Sequence, residues 1–170
     1  MGPKSEPTLL VWKGATVPRV AVRIAALVGG VTAVDLVTKT LAHARQGGSL
    51  VDPVNNPGLA LHLVDVSTGV EVLVGLAALL GMGGWAVRRV SSGRGRLVTA
   101  GLLLGGAMAN LTDRVILGSV RDFLPTPWLV FNLADVAMVV GVGLFYLDSY
   151  RARSGNPTAQ PSRADLTSAA

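Results

Sequence analysis

The stretch "NLTDRVILGSVRDFLPTPWLVFNLADVAMVVG" (residues 110–141) joins the end of one long apolar run to the start of another. Three aspartates, Asp113, Asp122 and Asp135, lie within it. A charge in or beside an apolar helix is costly unless it is paired, so ionisable groups in such places usually mark a functional site. These carboxylates are therefore the residues whose presence most needs an explanation.

The composition of the whole chain is that of a membrane protein. Of its 170 residues, 50% are hydrophobic and 15% are charged, with a mean hydropathy of +0.51. A soluble domain typically has about 25% charged residues. The absence of cysteine excludes disulfides, thiolate nucleophiles and cysteine metal ligands. The net charge of +5 arises from basic residues that flank apolar segments, so we do not expect nucleic-acid binding.

Four segments each approach the roughly 20 apolar residues that a helix needs to cross a bilayer. In lipid such a segment must be helical, because only a helix satisfies its own backbone hydrogen bonds. The first segment is too long for the apolar core of a cleavable signal peptide and carries Asp35 and Lys39, so we expect it to be a permanent span. The predicted spans are residues 20–42, 69–87, 97–117 and 128–148.

Basic residues set the expected orientation. They precede the first span, lie between the second and third, and follow the fourth, whereas connections 43–68 and 118–127 carry only Arg45 and Arg121. The positive-inside rule then predicts that both termini are cytoplasmic and that these two connections face outward. Turn formers and a short apolar alternation predict a small turn-and-strand element in 43–68. We expect a basic lead at 1–17, a membrane domain at 18–150 and a disordered tail at 151–170.

The polar residues of the spans collect in one layer near the predicted outer surface. Several lie three or four residues apart, and therefore on one helix face. Asp35 with Lys39, and Asp113 with Arg114, are also compatible with simple neutralising pairs, and the two asparagines with hydrogen bonds between helices. The layer comprises Asp35 and Lys39 in span one, Asn110, Asp113 and Arg114 in span three, Asp122 in the connection, and Asn132 and Asp135 in span four.

The chemistry open to this layer is that of carboxylates. His43 and His62 lack metal-ligand spacing, and the chain offers no cysteine and no serine with a suitable partner, so the residues predict neither a metal site nor a serine or cysteine nucleophile. Asp122 and Asp135 flank a short turn that allows them to meet. Two adjacent carboxylates share one proton, so that one can activate water while the other donates to a scissile carbonyl.

Five blocks give the sequence a family resemblance over roughly residues 20–148. With them it resembles the bacterial lipoprotein signal peptidases (signal peptidase II), aspartic proteases of the inner membrane. Each block alone is weak, but all five in this order on four spans are specific. The blocks are "DLVTK" (35–39), "NPGLAL" (56–61), "GGAMANLTDR" (105–114), "VRDF" (120–123) and "FNLADVAMVVG" (131–141).

The resemblance implies an all-α membrane protein of four transmembrane helices, with a small extracytoplasmic β-cradle and helix between helices one and two. It implies cleavage of prolipoproteins just before a diacylglyceryl-modified cysteine, with membrane lipid as the other partner and no cofactor, and we expect a monomer. The implied catalytic pair is Asp122 and Asp135. The implied supporting residues are Asp35, Lys39, Asn56, Gly58, Asn110, Asp113, Arg114, Asn132 and Ala134.

Some positions depart from the usual family pattern. Leu36 stands where the family commonly has Gln, Ala109 where it has Gly, and Val136 where it often has Ser, while Leu61-His62 replaces Phe-Ser. None removes a carboxylate, so we expect the same reaction with an altered substrate preference. Two rival hypotheses fit less well: a transporter needs polar groups at several depths, and a helix-binding scaffold explains the small residues of span three but not the aspartates.

Overall fold

Four long helices make up most of the part of the chain that the structure describes. The computed structural model describes residues 16–45, 51–56 and 67–154, so Gly58, His62 and most of the predicted turn-and-strand region lie outside the described residues. All four helices are long and apolar enough to cross a membrane, which confirms the prediction of a multi-pass membrane protein. The helices are α1 (Thr16–Ala44), α2 (Thr68–Ser91), α3 (Leu97–Leu117) and α4 (Leu133–Ser154).

Helix α3 is the centre of the bundle and packs against the other three helices. Within an 18-residue apolar stretch of α3, 44% of the residues are buried, against 11% in the corresponding stretch of each other helix. The other three helices therefore present their apolar side chains outward, as lipid-facing helices do. Its small residues permit this close packing. A Cβ added at Gly101 would lie 2.6 Å from Leu27 Cβ, and one at Gly105 would lie 2.6 Å from Val31 Cβ.

The contact between α3 and α4 depends on Gly106. A Cβ at this position would lie 2.5 Å from the Ala134 carbonyl oxygen and 2.8 Å from Met138 Cγ. Because the nearest atom is backbone, Gly106→Ala must push the two helices apart, and we expect a loss of about 1–3 kcal/mol of stability, as for overpacked cores. Gly84→Ala in α2 is the matched control, since its added Cβ meets nothing within 4 Å. Thermal unfolding in detergent measures both; equal melting temperatures would contradict this account of the α3–α4 contact.

Two short two-stranded sheets lie at the end of the bundle where α3 ends and α4 begins, which we call the strand end. Strand β1 (Val54–Asn56) pairs antiparallel with β2 (Val120–Asp122), with Val54 opposite Asp122. Strand β3 (Leu124–Pro125) pairs with β4 (Val130–Phe131). The β3–β4 turn is closed by Thr126, whose hydroxyl donates to the Leu129 carbonyl at 2.6 Å.

These strands change two details of the prediction. The predicted fourth span began at residue 128, but α4 begins at Leu133, because Val130–Phe131 pair as a strand. The small sheet was expected within connection 43–68, but half of it comes from connection 118–127, through β2. Apolar residues in a short strand and in a helix look alike by hydropathy, which explains the first error.

The opposite end of the bundle is held by an aromatic and ionic cluster. The guanidinium of Arg89 lies 5.2 Å from the Trp85 ring centre and 5.0 Å from that of Phe145. Arg96 Nε forms an ion pair with Asp148 at 2.9 Å. These contacts join α2, α3 and α4 far from the strands.

Candidate active site

Asn132 brings the two predicted catalytic aspartates together. Its side-chain amide donates to Asp122 Oδ1 at 2.6 Å, while its backbone N–H donates to Asp135 Oδ2 at 3.2 Å. Strand β2 carries Asp122 and the first turn of α4 carries Asp135. The structure therefore places both carboxylates around one buried asparagine, as the short connection between them predicted.

A reciprocal cap fixes Asp135 at the start of α4. Asn132 immediately precedes the helix, and its Oδ1 accepts the Asp135 backbone N–H at 3.0 Å, while the Asp135 carboxylate accepts the Asn132 N–H in return. This is the geometry of a capping box. Asn110 of α3 donates to the other carboxylate oxygen at 2.9 Å. A carboxylate in the first turn of a helix also interacts favourably with the helix dipole.

Asp122 has a different environment. Its side chain is buried, and its second oxygen accepts a hydrogen bond from the Asn56 amide at 3.1 Å. Burial raises the pKa of Asp122 above its ordinary value of 3.8, and the negative charge of Asp135 adds to this. The amides of Asn132 and Asn56, and the charge of Lys39, lower the pKa but do not cancel the effect of burial. Burial therefore disfavours the ionised form of Asp122 relative to an aspartate in water.

Lys39 lies behind the pair and is completely buried. Its Nζ lies 2.7 Å from Asp35 Oδ2 and 3.2 Å from Asp113 Oδ2, and it donates to Asn110 Oδ1 at 2.9 Å. Since Asn110 in turn donates to Asp135, the positive charge polarises an amide that stabilises the Asp135 carboxylate.

Asp35 connects α1 to the start of α4. Its Oδ1 accepts the backbone N–H of Ala134 at 2.7 Å, a helix-terminal donor that has no partner within α4. Ala134 itself is completely buried. Together with the Lys39 ion pair, this contact fixes the depth at which the first turn of α4, and hence Asp135, lies against α1 and α3.

The suggested neutralising pair of Asp113 with Arg114 does not form. Asp113 instead accepts from Arg121, at 2.7 Å from its guanidinium and 3.1 Å from its backbone N–H. Arg114 pairs with Glu71 of α2, with Nε to Oε2 at 3.1 Å. Consecutive residues on a helix point about 100° apart, so neighbours in sequence rarely face each other.

Sequence reasoning missed Glu71 and Arg121 as parts of this network. The signal for Glu71 was present, because it is the one charged residue of the second apolar segment before Arg88. Arg121 was counted only as a loop charge. Every predicted site residue that the structure describes lies in or directly beside the cluster; Gly58 lies outside the described residues.

An open cavity of about 540 Å³ lies against the two carboxylates. One part of its wall is polar and the other apolar, and the apolar part continues along α4 to Val139, which is 71% exposed. A cavity of this kind suits an amphiphilic ligand. The polar wall comprises Asn56, Asn110, Arg114, Asp122 and Asp135, and the apolar wall Val120, Leu129, Val130, Phe131, Val136, Val139 and Val140.

Metal ligation receives no support from the site. Over residues 16–45, 51–56 and 67–154, no group of three His, Cys, Asp or Glu side chains is arranged to hold a metal ion. The Nδ1 atom of His43 lies 3.1 Å from the Lys39 carbonyl oxygen, within its own helix. What the arrangement offers chemically is a pair of unequal carboxylates next to a cavity.

The raised pKa of Asp122 has a consequence for stability. A carboxyl whose folded-state pKa is raised stabilises the fold fully below pH 3.8, and this contribution is lost as pH rises through the folded pKa. We therefore expect Asp122→Asn to melt at a higher temperature than wild type at pH 8, with a gain that shrinks towards pH 4. Asp52→Asn, at an exposed aspartate near the same strands, is the matched control for the loss of a carboxylate from this region. A gain in melting temperature that is constant with pH, or largest at low pH, would contradict the raised pKa of Asp122.

Known proteins resemble this chain in both sequence and fold. The family model for signal peptidase (SPase) II matches residues 27–151. A lipoprotein signal peptidase of Leifsonia xyli subsp. xyli is 43% identical over 106 residues, which cover 58% of this chain and 48% of the relative. One from Methylocella silvestris is 38% identical over 125 residues, covering 67% and 71%. The chain thus spans about half the length of the first of these relatives and more of the second.

Among solved structures, a bacterial membrane enzyme determined by the in meso method at 2.3 Å resolution has a TM-score of 0.67. It is 20% identical, and the match covers 82% of this chain and 94% of that one. A second such structure, at 1.9 Å resolution, has a TM-score of 0.63 with 21% identity, covering 73% and 90%. These likenesses support the fold. Since the family model matches well over half of the sequence, the chain belongs to the signal peptidase (SPase) II family.

Proposed function

We propose that this protein is an aspartic endopeptidase that removes signal peptides from prolipoproteins, hydrolysing the bond before a diacylglyceryl-modified cysteine. The observation that carries the proposal is the placement of Asp122 and Asp135 around Asn132, on the wall of one cavity that is apolar along α4. Membership of the signal peptidase II family, and relatives named lipoprotein signal peptidases, support the same activity.

The unequal surroundings of the two carboxylates suggest their roles. Asp135 is the ionised partner, because it lies at the N-terminus of α4 and accepts from Asn110, which Lys39 polarises. Asp122 carries the shared proton, because it is buried and its described hydrogen-bond donors are the neutral amides of Asn132 and Asn56. Asp135 then removes a proton from water as the water oxygen attacks the scissile carbonyl carbon, and Asp122 donates its proton to the carbonyl oxygen.

Collapse of the resulting tetrahedral diol completes the reaction. The carbon–nitrogen bond breaks, Asp135 passes the proton it took from water to the leaving cysteine nitrogen, and a diol hydroxyl returns a proton to Asp122. The products are a carboxylic acid at the end of the signal peptide and a free amine on the lipidated cysteine. The carboxylate pair ends as it began, so the cycle consumes one water and needs no cofactor.

The apolar wall of the cavity suits the lipid part of this substrate. Val136, Val139 and Val140 lie three and four residues apart on one exposed face of α4, which starts beside Asp135. Acyl chains lying along this face place the adjacent peptide bond at the carboxylates. Val136, where the family often has Ser, makes the wall next to Asp135 more apolar.

Arginines at the end of α2 and in the α2–α3 connection support the proposed orientation. Arg88, Arg89, Arg94 and Arg96 lie at the end of the bundle opposite the strands. The positive-inside rule puts that end in the cytoplasm, together with both termini, and the strand end with its cavity outside. We therefore propose a location in the bacterial cytoplasmic membrane with the active site facing outward. Since one chain supplies both aspartates, a monomer suffices.

A cleavage assay on the purified full chain in detergent tests the proposal. Its substrate is a diacylglyceryl-modified prolipoprotein, compared with the same unmodified protein. We expect a mobility shift only for the modified substrate, with the cut before the cysteine by mass spectrometry. Cleavage of both forms would contradict the proposed lipid requirement, and cleavage of neither by a folded protein would overturn the function.

A further inference from the structure

We infer that Glu71 is a positioning residue, which holds the guanidinium of Arg114 at the cavity so that it donates to a carbonyl oxygen of the bound substrate. This inference rests on the proposed function and deepens it. It concerns the recognition of substrate, since Glu71 itself is not among the residues lining the cavity.

The buried position of Glu71 requires an explanation of its own. It lies in the first turn of α2, is 4% exposed, and is the one charged residue between Thr68 and Arg88. A buried carboxylate in a membrane helix is costly unless it is paired and functional. Its partner is Arg114 of α3, whose Nε donates to Glu71 Oε2 at 3.1 Å.

Arg114 borders two cavities. It lines the cavity of Asp122 and Asp135, and it also lines a second groove of about 540 Å³ between the start of α2 and the end of α3. The guanidinium is planar, so an acceptor fixed at Nε sets the direction of the other donors. Glu71 supplies that acceptor from a rigid helix, and its burial keeps the charge unscreened by water.

The chemistry of the cavity indicates what Arg114 recognises. The polar wall already contains the two carboxylates, so a further anion there would be repelled by them. A neutral carbonyl oxygen accepts a charge-assisted hydrogen bond without that penalty. The proposed substrate offers two sources: the peptide carbonyls beside the scissile bond and the ester carbonyls of its acyl chains.

Glu71→Gln in the full chain tests the inference, because it keeps the shape of the side chain but removes its charge. We expect KM for the diacylated prolipoprotein to rise about tenfold, as for one weakened charged hydrogen bond. We expect kcat to stay within about twofold, because the loss falls on substrate binding. Unchanged KM, or an effect on kcat alone, overturns the inference.

Asp148→Asn is the matched control. It also removes the charge of a shielded carboxylate that pairs with an arginine Nε, but at the opposite end of the bundle. We expect it to lower the melting temperature as Glu71→Gln does while leaving KM unchanged. If both variants raise KM equally, the effect of Glu71 is one of general stability and the inference fails.

A double-mutant cycle separates positioning from packing. Glu71→Gln should add nothing to the KM of Arg114→Ala, since its effect passes through that side chain, and full additivity would overturn the inference. Where Glu71→Gln does not fold, Glu71→Asp replaces it, because it keeps the charge on a side chain that is one methylene shorter. The same rise in KM with little change in kcat is then expected.

A substrate with ether-linked chains distinguishes the two carbonyl sources. Loss of the Glu71→Gln effect with this substrate assigns the contact to an ester carbonyl, and its persistence assigns it to the peptide. Failure of the proposed function is recognised separately, because wild type would then cleave neither substrate.

Discussion

Asp122→Asn and Asp135→Asn are each expected to lower kcat by roughly 1000-fold or more, because each removes one partner of the proton exchange. Asp135→Asn removes the acceptor of the water proton, and Asp122→Asn removes the acid that protonates the carbonyl oxygen. Since the two act as a unit, the double variant should be no slower than the slower single variant.

Both variants should keep the fold, which makes loss of activity interpretable. Asparagine has the shape of aspartate, and its carbonyl oxygen still accepts one of the hydrogen bonds that each carboxylate accepts now, from Asn132 or Asn110. The amide at position 122 also cannot ionise, so this variant avoids the cost of a buried charge at high pH. Cleavage rates and melting temperatures in detergent check the two expectations together. A folded variant that retains more than a few per cent of wild-type activity would exclude that aspartate from the catalytic pair.

The four helices were predictable because lipid leaves the backbone few alternatives. The bounds predicted for the third span, 97–117, are those of α3. The start of α4 was missed because residues 128–131 are as apolar as a helix. The contribution of β2 to the small sheet was missed because a three-residue strand carries almost no periodic signal. The capping box of Asn132 and Asp135, three residues apart, was the better guide to where α4 begins.

The depth of the site along the helices was predictable from the sequence, but the ion pairs within the site were not. Asp122 and Asp135 could be placed together because few residues separate them. The partners of Asp113 and Arg114 depend on how α2 and β2 are rotated against α3, which a single sequence does not specify. Glu71 and Arg121 therefore became visible only in three dimensions. Both side chains are long enough to reach a partner on another element. Glu71 of α2 contacts Arg114 of α3, and Arg121 of β2 contacts Asp113 of α3.

Lys39→Met is expected to destabilise the protein by about 3–5 kcal/mol, the cost of leaving a buried charge without its partner. Methionine fills a similar volume, so the loss is electrostatic and not a cavity. Two carboxylates lose their cation, but they are not equally affected. Asp113 keeps the guanidinium of Arg121 at 2.7 Å, whereas the side chain of Asp35 keeps, among the residues that the structure describes, only the backbone N–H of Ala134.

This asymmetry makes the prediction specific. Adding Asp35→Asn to Lys39→Met should recover much of the lost stability, because the amide oxygen still accepts the Ala134 N–H and no unpaired charge is left. Asp113→Asn in the same background should recover less, since it deprives Arg121 of its anionic partner. Recovery of stability should not restore activity, because Asn110 would still lack the charge that polarises it towards Asp135. Equilibrium unfolding in mixed micelles compares the variants. A Lys39→Met protein as stable as wild type would contradict the claim that Lys39 neutralises buried carboxylates. Equal recovery by the two second substitutions would contradict the claim that Asp35 depends on Lys39 more than Asp113 does.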